Sequence, residues 1–274
     1  MKSFAGVIGW PLEHSLSPAI HNAAFRRLGL DWVYLSFPVR AEDLATAVQG
    51  LRALGAVGAN VTMPHKGEVV EHMDDLSGDA RAIGAVNTIQ RVGHRLIGHN
   101  TDVDGFLAFV RDDAGLRIAD TRCLVLGAGG AARAIVRALD ASGAATIALC
   151  ARRDEQAEQV AALVSDAEVE RLRWDSLPGE SRAFDLIVNA TPLGMRGQDA
   201  LPELEPTEGQ AVVDLVYDPP ETPLVEAAKR AGGAGWGGLG MLVHQAAASL
   251  RIWTGQEAPV EAMSVAALHA LSRR

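Results

Sequence analysis

The feature that most constrains the fold is a glycine-rich turn between an apolar segment and a helical one. The segment Cys123 to Leu126 is short and apolar and runs directly into Gly127-Ala128-Gly129-Gly130, and helical apolar spacing follows it. A strand, such a turn and a helix in this order are typical of a Rossmann-type unit, whose glycine backbone approaches a pyrophosphate at the helix N-terminus. A tight turn without a ligand is the alternative. Four successive small residues favour the dinucleotide, with predicted contacts at Gly127, Ala128, Gly129, Gly130 and Ala131.

The end of the next strand indicates which dinucleotide binds. An NAD-binding unit usually carries Asp or Glu about 20 residues beyond the glycines, where it binds the ribose hydroxyls. Here the predicted strand Thr146 to Cys150 is followed by Arg152 and Arg153, and the first acid is Asp154. Two guanidinium groups match the 2′-phosphate of NADP, which a carboxylate would repel. Surface pairing with Asp154 and Glu155 is the alternative for one arginine, whereas for both together we predict phosphate binding.

Strand-like apolar runs alternate with helical periodicity along most of the 274 residues, which predicts an α/β protein with parallel sheets and two domains. The predicted strands are Phe4 to Gly9, Trp32 to Phe37, Val57 to Val61, Cys123 to Leu126, Thr146 to Cys150, Leu186 to Asn189 and Val212 to Val216. Helices are predicted to begin at Ser17 as N-cap, at Leu44 and near Lys66, and two more to close the chain, Gln245 to Trp253 and Val260 to Leu271. The glycine-rich stretch Gly232 to Gly240 predicts a hinge or a ligand-facing loop.

The predicted organisation is an N-terminal α/β substrate-binding domain followed by a Rossmann-type dinucleotide-binding domain. We expect the C-terminal helices to return to the first domain, because candidate substrate residues lie at both ends of the chain. The expected bounds are 1–102 with 240–274 for the catalytic, substrate-binding domain and 103–239 for the NADP-binding domain.

Composition excludes several kinds of partner. The net charge of −9 disfavours nucleic acid and anionic membrane surfaces, and no apolar run approaches the roughly 20 residues of a spanning helix. Cys123 and Cys150 are expected at opposite ends of two parallel strands and therefore unpaired, which fits the reducing cytoplasm. No metal is expected, because His65, His94 and His99 lack a convincing ligand spacing.

Polar residues follow the predicted strands of the first domain, where ligands gather in open α/β sheets. The set comprises Ser15, Ser17, Asn60, Thr62, Lys66, Asn87, Asn100, Thr101 and Asp102. Most of these residues are neutral hydrogen-bonding groups, which suit a ligand that carries several hydroxyls. Other roles stay open for single residues: Ser17 as a helix cap, and Asn60 or Asn87 as turn residues.

Lys66 is the charged member of this set that has a chemical use. At the start of a predicted helix, the helix dipole opposes a positive charge and favours the neutral amine. Asp102, if it lies close, would oppose that shift and would orient the ammonium. Such a pair can deliver a proton to a carbonyl oxygen while hydride attacks the carbon. Sequence reasoning leaves open whether the two residues meet.

These residues occur in motifs that resemble the shikimate dehydrogenase family over essentially the whole chain. Ser15-Leu16-Ser17-Pro18 is similar to the family's carboxylate-binding motif, and the segment from Asn60 to Lys66 to the one that carries its catalytic lysine. Asn87-Thr88 and Asn100-Thr101-Asp102 resemble further substrate contacts, with Asp102 as the partner of the lysine. The segment Asn189 to Met195 resembles the loop beside the nicotinamide. The remaining positions that match the family's ligand contacts are Thr191, Pro192, Met195, Val216, Gly238 and Met241 for the cofactor, and Tyr217 and Gln245 for the substrate.

The resemblance implies an NADP-dependent reduction of 3-dehydroshikimate to shikimate in aromatic amino-acid biosynthesis, by a monomer or homodimer. The chain departs from the family pattern where the family often has Asn-Arg-Thr, because it has Ala151-Arg152-Arg153 there. The strictness of NADP over NAD therefore stays open. Two rivals remain: a dehydrogenase of dual quinate and shikimate specificity, and a non-catalytic protein that senses NADPH. A sensor would have no need of Lys66 and Asp102.

Overall fold

The computed structural model describes residues 3–196 and 198–274, so Met1, Lys2 and Gly197 lie outside the described residues. The chain divides into two compact units, Met1–Gly105 with Leu242–Arg274, and Phe106–Met241. The expected bounds, 1–102 with 240–274 and 103–239, differ from these by two or three residues.

Helices and strands alternate along the described chain. In the first part these are β1 (Ser3–Gly9), α1 (Ser17–Arg27), β2 (Trp32–Pro38), α2 (Leu44–Ala53), β3 (Gly58–Val61), β4 (Asp75–Leu76), α3 (Gly78–Ile83), β5 (Thr88–Val92), β6 (Arg95–His99) and α4 (Thr101–Ala108). They continue with β7 (Arg122–Leu126), α5 (Gly130–Ala141), β8 (Thr146–Cys150), α6 (Asp154–Ala161), β9 (Glu168–Leu172), α7 (Leu177–Glu180), β10 (Leu186–Asn189), β11 (Ala211–Asp214), α8 (Pro223–Arg230), β12 (Ala234–Gly237), α9 (Leu239–Thr254) and α10 (Val260–Leu271). Within the described ranges, no helix is both long and apolar enough to cross a membrane.

The sheet of the first unit has the strand order β2-β1-β3-β5-β6-β4 and is mixed. The prediction of parallel sheets is wrong here, because β5 runs antiparallel to both β3 and β6. The reversal has a consequence for the polar residues. Thr88 at the start of β5 pairs with Asn60 near the end of β3 and with His99 at the end of β6. The amino end of β5 therefore shares an edge with the carboxyl ends of β3 and β6.

Apolar periodicity explains how this sheet is covered. Leu44, Val48 and Leu51 of α2 fall on one helix face and pack in the same core as Ile8 and Val61 of the sheet. The segment Leu242–Arg274 belongs to this unit, as the fold prediction required. Its attachment is polar as well as apolar, since the Trp253 indole Nε1 donates to the Ile89 carbonyl at 2.9 Å and Gln90 Nε2 to that of Ile252 at 2.8 Å.

The second unit contains a parallel sheet in the order β12-β11-β10-β7-β8-β9. The chain builds β7, β8 and β9 outward on one side and then returns to place β10, β11 and β12 on the other. Its direction therefore switches between β7 and β10. This is the strand order of the doubly wound dinucleotide-binding fold, in which ligands bind at the switch point. The Rossmann-type prediction is confirmed.

The glycine-rich stretch Gly232 to Gly240 is not the predicted loop or hinge, because it contains β12 and the start of α9. Its glycines serve close packing: a side-chain carbon on Gly233 would lie 2.5 Å from the Gln210 carbonyl oxygen, and one on Gly237 would lie 2.6 Å from that of Pro220. β11 also ends at Asp214, two residues before the predicted Val216. The glycines of this stretch therefore allow close packing in and beside the edge strand β12, and do not mark a break in the chain.

Two predicted helix starts in the first unit are also wrong. The N-cap of α1 is Leu16 rather than Ser17, and the hydroxyl of Ser15 accepts the Ser17 N–H at 3.3 Å. Lys66 does not begin an α-helix. It lies in a turn before a five-residue 3₁₀ helix, Glu68–His72, and a helix this short carries little dipole. The structure therefore places no α-helix dipole at Lys66.

Cys123 and Cys150 are free and buried on neighbouring parallel strands, as predicted. Burial raises the pKa of Cys123 to about 11, and that of Cys150 to about 12. At pH 8 only about one thiol in a thousand or fewer is then a thiolate. We expect the native protein to show no fast reaction with a thiol-specific disulfide reagent, and both thiols to react once guanidinium unfolds the chain. Rapid reaction of one thiol per native protein molecule would contradict the burial of Cys123 and Cys150.

Candidate functional site

A buried ion pair lies at the polar edge of the first unit. Lys66 Nζ is 2.6 Å from Asp102 Oδ2, and the two side chains are 19% and 7% exposed. Asp102 is in the first turn of α4, where Asn100 caps the helix by accepting the Asp102 N–H at 3.1 Å. The structure thus joins the two residues whose meeting the sequence left open. An ammonium held beside a nearly buried carboxylate is a positioned proton donor.

Asn87 holds the carboxylate of this pair. Its Nδ2 donates to Asp102 Oδ1 at 2.8 Å, while its Oδ1 accepts the backbone N–H of Thr101 at 2.7 Å. A carboxylate can only accept hydrogen bonds and a backbone N–H can only donate them. The Asn87 Nδ2 must therefore face Asp102, and the Asn87 Oδ1 must face Thr101. The backbone completes the arrangement, since Val86 N donates to the Lys66 carbonyl at 2.8 Å.

A second buried amide, Asn60, is bound on all sides within the protein. Its Oδ1 accepts the Tyr34 hydroxyl at 2.7 Å, and its Nδ2 lies 3.0 Å from Thr88 Oγ1 and 2.9 Å from Ser249 Oγ. Ser249 Oγ lies 3.1 Å from Thr101 Oγ1, which continues the network towards Asn87. These bonds leave the Asn60 amide little hydrogen-bonding capacity for a ligand, and its predicted substrate contact stays a prediction.

Gln245 reaches the same network from the C-terminal segment. Its Oε1 is 3.5 Å from Asn87 Nδ2, and its Nε2 donates to the Leu242 carbonyl at 2.8 Å. The approach depends on Gly105, where a side-chain carbon would lie 2.6 Å from that of Gln245. A glycine in α4 thus lets α9 come close enough for Gln245 to join the other polar side chains.

Ser17 and Thr62 are two further predicted contacts that carry hydroxyls. The Thr62 hydroxyl makes no hydrogen bond to any residue that the structure describes, whereas the Ser17 hydroxyl hydrogen-bonds with the Tyr34 side chain and Ser15 Oγ accepts the Ser17 N–H. Thr62 directly follows β3 and donates its N–H to the Ile8 carbonyl at 3.0 Å, at the end of β1. The Thr62 hydroxyl is therefore available to a ligand at this edge of the sheet.

His21 lies behind this site as a neutral buried ring. It is fully buried, stacks on Tyr34 with a centroid distance of 4.3 Å, and neither ring nitrogen has a hydrogen-bond partner among the described residues. Burial lowers the pKa of His21 from its ordinary 6.5 to about 3, against a smaller raising effect of Asn60. The imidazolium is therefore excluded from the native state at neutral pH.

His21 makes the protein sensitive to acid. Between pH 6.5 and 3 the unfolded chain binds a proton at His21 that the native state does not, so the stability that His21 supplies is present above pH 6.5 and is lost as the pH falls. At pH 5 the loss is about 2 kcal/mol of unfolding free energy. We expect urea titrations at pH 7.5 and 5.0 to show this loss in wild type and a smaller one in His21→Phe. His94→Phe, on an exposed turn, should keep the wild-type difference, and an unchanged difference in His21→Phe would contradict the assignment.

The second unit presents its glycine-rich turn at the switch point of its sheet. Gly127 has φ of +109°, a conformation that favours glycine, and a side-chain carbon there would lie 3.0 Å from Thr191 Cγ2. A side-chain carbon on Gly129, at the N-cap of α5, would meet no atom within 4 Å. The turn thus has an open backbone surface at a helix N-terminus, which fits a pyrophosphate. Ala128, Gly130 and Ala131 continue this surface and are half-buried.

Arg152 and Arg153 follow β8 and are exposed. Neither guanidinium group forms an ion pair or hydrogen bond with any residue that the structure describes. Arg153 is the N-cap residue of α6, whose first turn contains Asp154 and Glu155, so pairing with these acids was the alternative that the sequence left open. The structure disfavours that alternative, and both guanidinium groups are available to an anion.

The remaining predicted cofactor contacts belong to segments that follow β10, β11 and β12. Thr191 follows β10 and donates both its N–H and its hydroxyl to Asn189 Oδ1, at 3.0 and 2.7 Å. Val216 is buried after β11, and its carbonyl accepts the Gly238 N–H at 2.9 Å. The others lie in the same segments: Pro192, Met195, Tyr217 and Met241. Tyr217, predicted to contact substrate, thus belongs to the second unit, whereas the other predicted substrate residues belong to the first.

Sequence reasoning missed three residues that hold these sites together: Tyr34, Ser249 and Asp214. Ser249 had a usable signal, because it follows Gln245 by four residues and so lies on the same helix face. Tyr34 and Asp214 had none, since each contacts its partners through tertiary pairing that no local pattern encodes.

A doubly wound, dinucleotide-binding second unit and a buried lysine–aspartate pair in the first define the class of two-unit α/β dehydrogenases. Comparison with known proteins specifies the family. The family model described as the shikimate dehydrogenase substrate binding domain matches residues 7–89, that of shikimate/quinate 5-dehydrogenase matches 110–194, and that of the shikimate 5′-dehydrogenase C-terminal domain matches 238–267.

Individual proteins agree with these matches. The shikimate dehydrogenase (NADP(+)) of Geobacter metallireducens is 45% identical, with 98% of this chain and 96% of the relative covered. A crystal structure of a shikimate dehydrogenase in complex with NADP+ has a TM-score of 0.90 at 38% identity, covering 98% and 96% of the two chains. The ligand-free 5-ketofructose reductase of a Gluconobacter strain has a TM-score of 0.88 at 36% identity, covering 98% and 99%. The chain belongs to the shikimate dehydrogenase family.

Proposed function

We propose that the protein is an NADP-dependent shikimate dehydrogenase, an oxidoreductase that reversibly reduces 3-dehydroshikimate to shikimate in the synthesis of aromatic amino acids. The observation that carries the proposal is the 2.6 Å Lys66–Asp102 pair in the unit that matches the family's substrate-binding domain. A protein that only sensed NADPH would have no use for a positioned acid beside a hydroxyl-lined surface. The substrate and the cofactor in this proposal are those for which the relatives are named.

Lys66 and Asp102 are the catalytic residues of this proposal. As the ketone carbon is reduced, negative charge develops on its oxygen, and the Lys66 ammonium neutralises that charge and delivers a proton to it. Asp102 keeps the ammonium in one place, and Asn87, bonded to the other carboxylate oxygen at 2.8 Å, keeps the carboxylate from turning. In the reverse direction the same amine accepts the proton of the substrate hydroxyl. NADPH, when bound, supplies the hydride.

The other polar residues of the first unit suit a small polyhydroxylated acid. Ser15 and Ser17 are proposed to bind the carboxylate, and Thr62, Asn87, Asp102, Tyr217 and Gln245 the hydroxyls. Because the donors for the anionic substrate are neutral, added salt should lower substrate affinity less steeply than it would if arginines bound the carboxylate. Asn60 is proposed to act by orienting its neighbours, because its amide is already bonded within the protein.

The second unit is proposed to hold the cofactor. The backbone of Gly127 to Ala131 would bind the pyrophosphate, and Arg152 with Arg153 the 2′-phosphate. The segments that carry Thr191, Pro192, Met195, Val216, Gly238 and Met241 would line the nicotinamide half. The domain roles follow: 1–105 with 242–274 for catalysis and 106–241 for NADP. We place the enzyme in the cytoplasm, where its two thiols stay reduced, as a monomer or homodimer.

The test is nicotinamide absorbance with purified protein, offered shikimate or quinate with NADP⁺ or NAD⁺, and 5-ketofructose with NADPH. Rapid turnover confined to shikimate with NADP⁺ is the expected result. Comparable turnover of quinate, or with NAD⁺, would place the chain in the dual-specificity branch. Preference for 5-ketofructose would follow the second solved structure instead. Absence of turnover with every pair, together with NADPH binding, would support the sensor.

A further inference from the structure

Asp214 is a fully buried carboxylate at the end of β11. Its Oδ1 accepts Asn189 Nδ2 at 2.8 Å and the Val216 N–H at 3.0 Å, and its Oδ2 accepts the Thr222 hydroxyl at 2.7 Å. No lysine, arginine or histidine of the described chain pairs with it. Burial raises the pKa of Asp214, and the three hydrogen bonds lower it in part. A buried carboxylate without a cation is costly, so its position depends on these three donors.

The carboxylate determines which way the Asn189 amide faces. Because Asp214 can only accept, Asn189 Nδ2 must face it, and Asn189 Oδ1 must then face Thr191. That oxygen accepts both the Thr191 N–H and the Thr191 hydroxyl. The hydroxyl in turn accepts the Leu193 N–H at 3.2 Å. Asp214 thus acts on Thr191 through Asn189. The conformation of the segment after β10 therefore depends on Asp214.

The same carboxylate holds the segment after β11. The Val216 N–H points at Asp214 Oδ1, and the Val216 carbonyl accepts the Gly238 N–H at 2.9 Å. Gly238 packs so tightly on the Leu215 carbonyl that a side-chain carbon would overlap it. Thr222, the third donor, caps α8 by accepting the Val225 N–H. One group thus connects the ends of β10 and β11, the residue after β12, and the start of α8.

We propose that Asp214 is a positioning residue for the cofactor site, which fixes Thr191, Val216 and Gly238 in the arrangement that binds the nicotinamide half of NADP(H). The inference rests on the proposed function only in that the site binds this cofactor. A carboxylate suits the role because any shift of one segment leaves a buried charge with an unmet hydrogen bond. Asp214 does not itself contact the cofactor in this proposal.

The experiment compares Asp214→Ala and Asp214→Asn by the fluorescence change of NADPH on binding. Asp214→Ala removes all three acceptors, and we expect its Kd for NADPH to rise about 10-fold or more. Asp214→Asn keeps one oxygen for Asn189 and Val216, and the Thr222 hydroxyl can rotate to accept from the new amide. Its Kd should therefore rise less than about 3-fold. Shikimate binding, measured calorimetrically without cofactor, should change less than NADPH binding in Asp214→Ala, because most proposed substrate contacts belong to the first unit.

Asp140 provides the matched control. It belongs to the same unit, is 3% exposed, and also accepts three hydrogen bonds, from the backbone N–H groups of Ser165, Asp166 and Ala167. We expect Asp140→Ala to lower the melting temperature and leave the NADPH Kd at the wild-type value. An equal rise of the Kd in Asp140→Ala would mean general destabilisation and would overturn the proposal.

A wild-type Kd in folded Asp214→Ala would also overturn it. If that variant does not fold, Thr222→Val decides: it removes one of the three donors, and a rise of about 3-fold supports the proposal whereas no change overturns it. These results are distinguishable from failure of the proposed function, because that failure would appear as absent turnover in the wild-type protein, whereas the role of Asp214 is tested by NADPH binding alone.

Discussion

Replacing Lys66 by alanine is expected to lower turnover by about 10² to 10⁴ while the protein still folds and binds NADPH, because a positioned general acid supplies an effect of that size. Lys66 is not among the proposed cofactor contacts, so cofactor affinity should be unchanged. The measurement is steady-state absorbance at saturating shikimate and NADP⁺, with NADPH fluorescence for binding.

Lys66→Arg separates the charge of the lysine from its proton. A guanidinium retains the positive charge beside Asp102 and cannot give up its proton near neutral pH. If proton transfer is the role of Lys66, this variant should lose turnover nearly as much as Lys66→Ala. Activity close to wild type in Lys66→Arg would instead assign a purely electrostatic role.

Lys229→Ala is the matched control for both variants. Lys229 is the other lysine of the described chain, and its ammonium also pairs with a carboxylate, that of Glu221, on the exposed surface of the second unit. Exposed ion pairs of this kind contribute about 0 to 1 kcal/mol, so the variant should keep full turnover. Turnover near the wild-type value in Lys66→Ala would remove Lys66 from the mechanism.

Local signals were sufficient to predict much of the fold. The turn Gly127 to Gly130 lies between an apolar strand and an amphipathic helix, and each of the three is recognisable within a few residues. β8, β10 and α10 were predicted with the observed bounds for the same reason. The family resemblance then supplied an order of elements that local patterns alone leave open.

Local sequence signals did not predict the direction of strands or the presence of short strands. β4 has two residues, and β9, Glu168–Leu172, is largely exposed and contains three charged residues, so neither shows a buried strand pattern. Nothing in Thr88–Val92 indicates that β5 runs antiparallel to its neighbours, since direction depends on the connection and not on side-chain alternation. This direction is what brings Asn87 to the site.

The site likewise combines features that the sequence predicts with contacts that only the fold creates. Lys66 and Asp102 are 36 residues apart, and their contact arises from the pairing of β3, β5 and β6. Ser249 contacts Asn60 from 189 residues away. The chemical properties of each residue follow from its amino-acid type, and the family resemblance implied the role of each residue. Only the fold shows that the Asn60 amide is hydrogen-bonded to its neighbours, and its predicted contact with substrate stays a prediction.

Replacing Arg152 and Arg153 together by glutamine is expected to lower kcat/KM for NADP⁺ by about 10² to 10³ and to leave NAD⁺ nearly unaffected. Charge-assisted hydrogen bonds contribute about 1.5 to 3 kcal/mol each, and the 2′-phosphate is the only part of NADP⁺ that NAD⁺ lacks. Both guanidinium groups lack a partner among the described residues, so neither has a competing ion pair to break before it binds the phosphate.

Arg26 and Arg27 offer a matched control, because they are also consecutive and exposed, on α1 of the first unit. Converting that pair to glutamine changes the net charge equally and should leave the ratio of NADP⁺ to NAD⁺ activity at its wild-type value. The single variants then divide the effect between the two arginines. An unchanged ratio in Arg152→Gln/Arg153→Gln would show that the phosphate binds elsewhere. A loss confined to Arg152→Gln would instead mean that the second arginine, where the family often has threonine, adds nothing to discrimination.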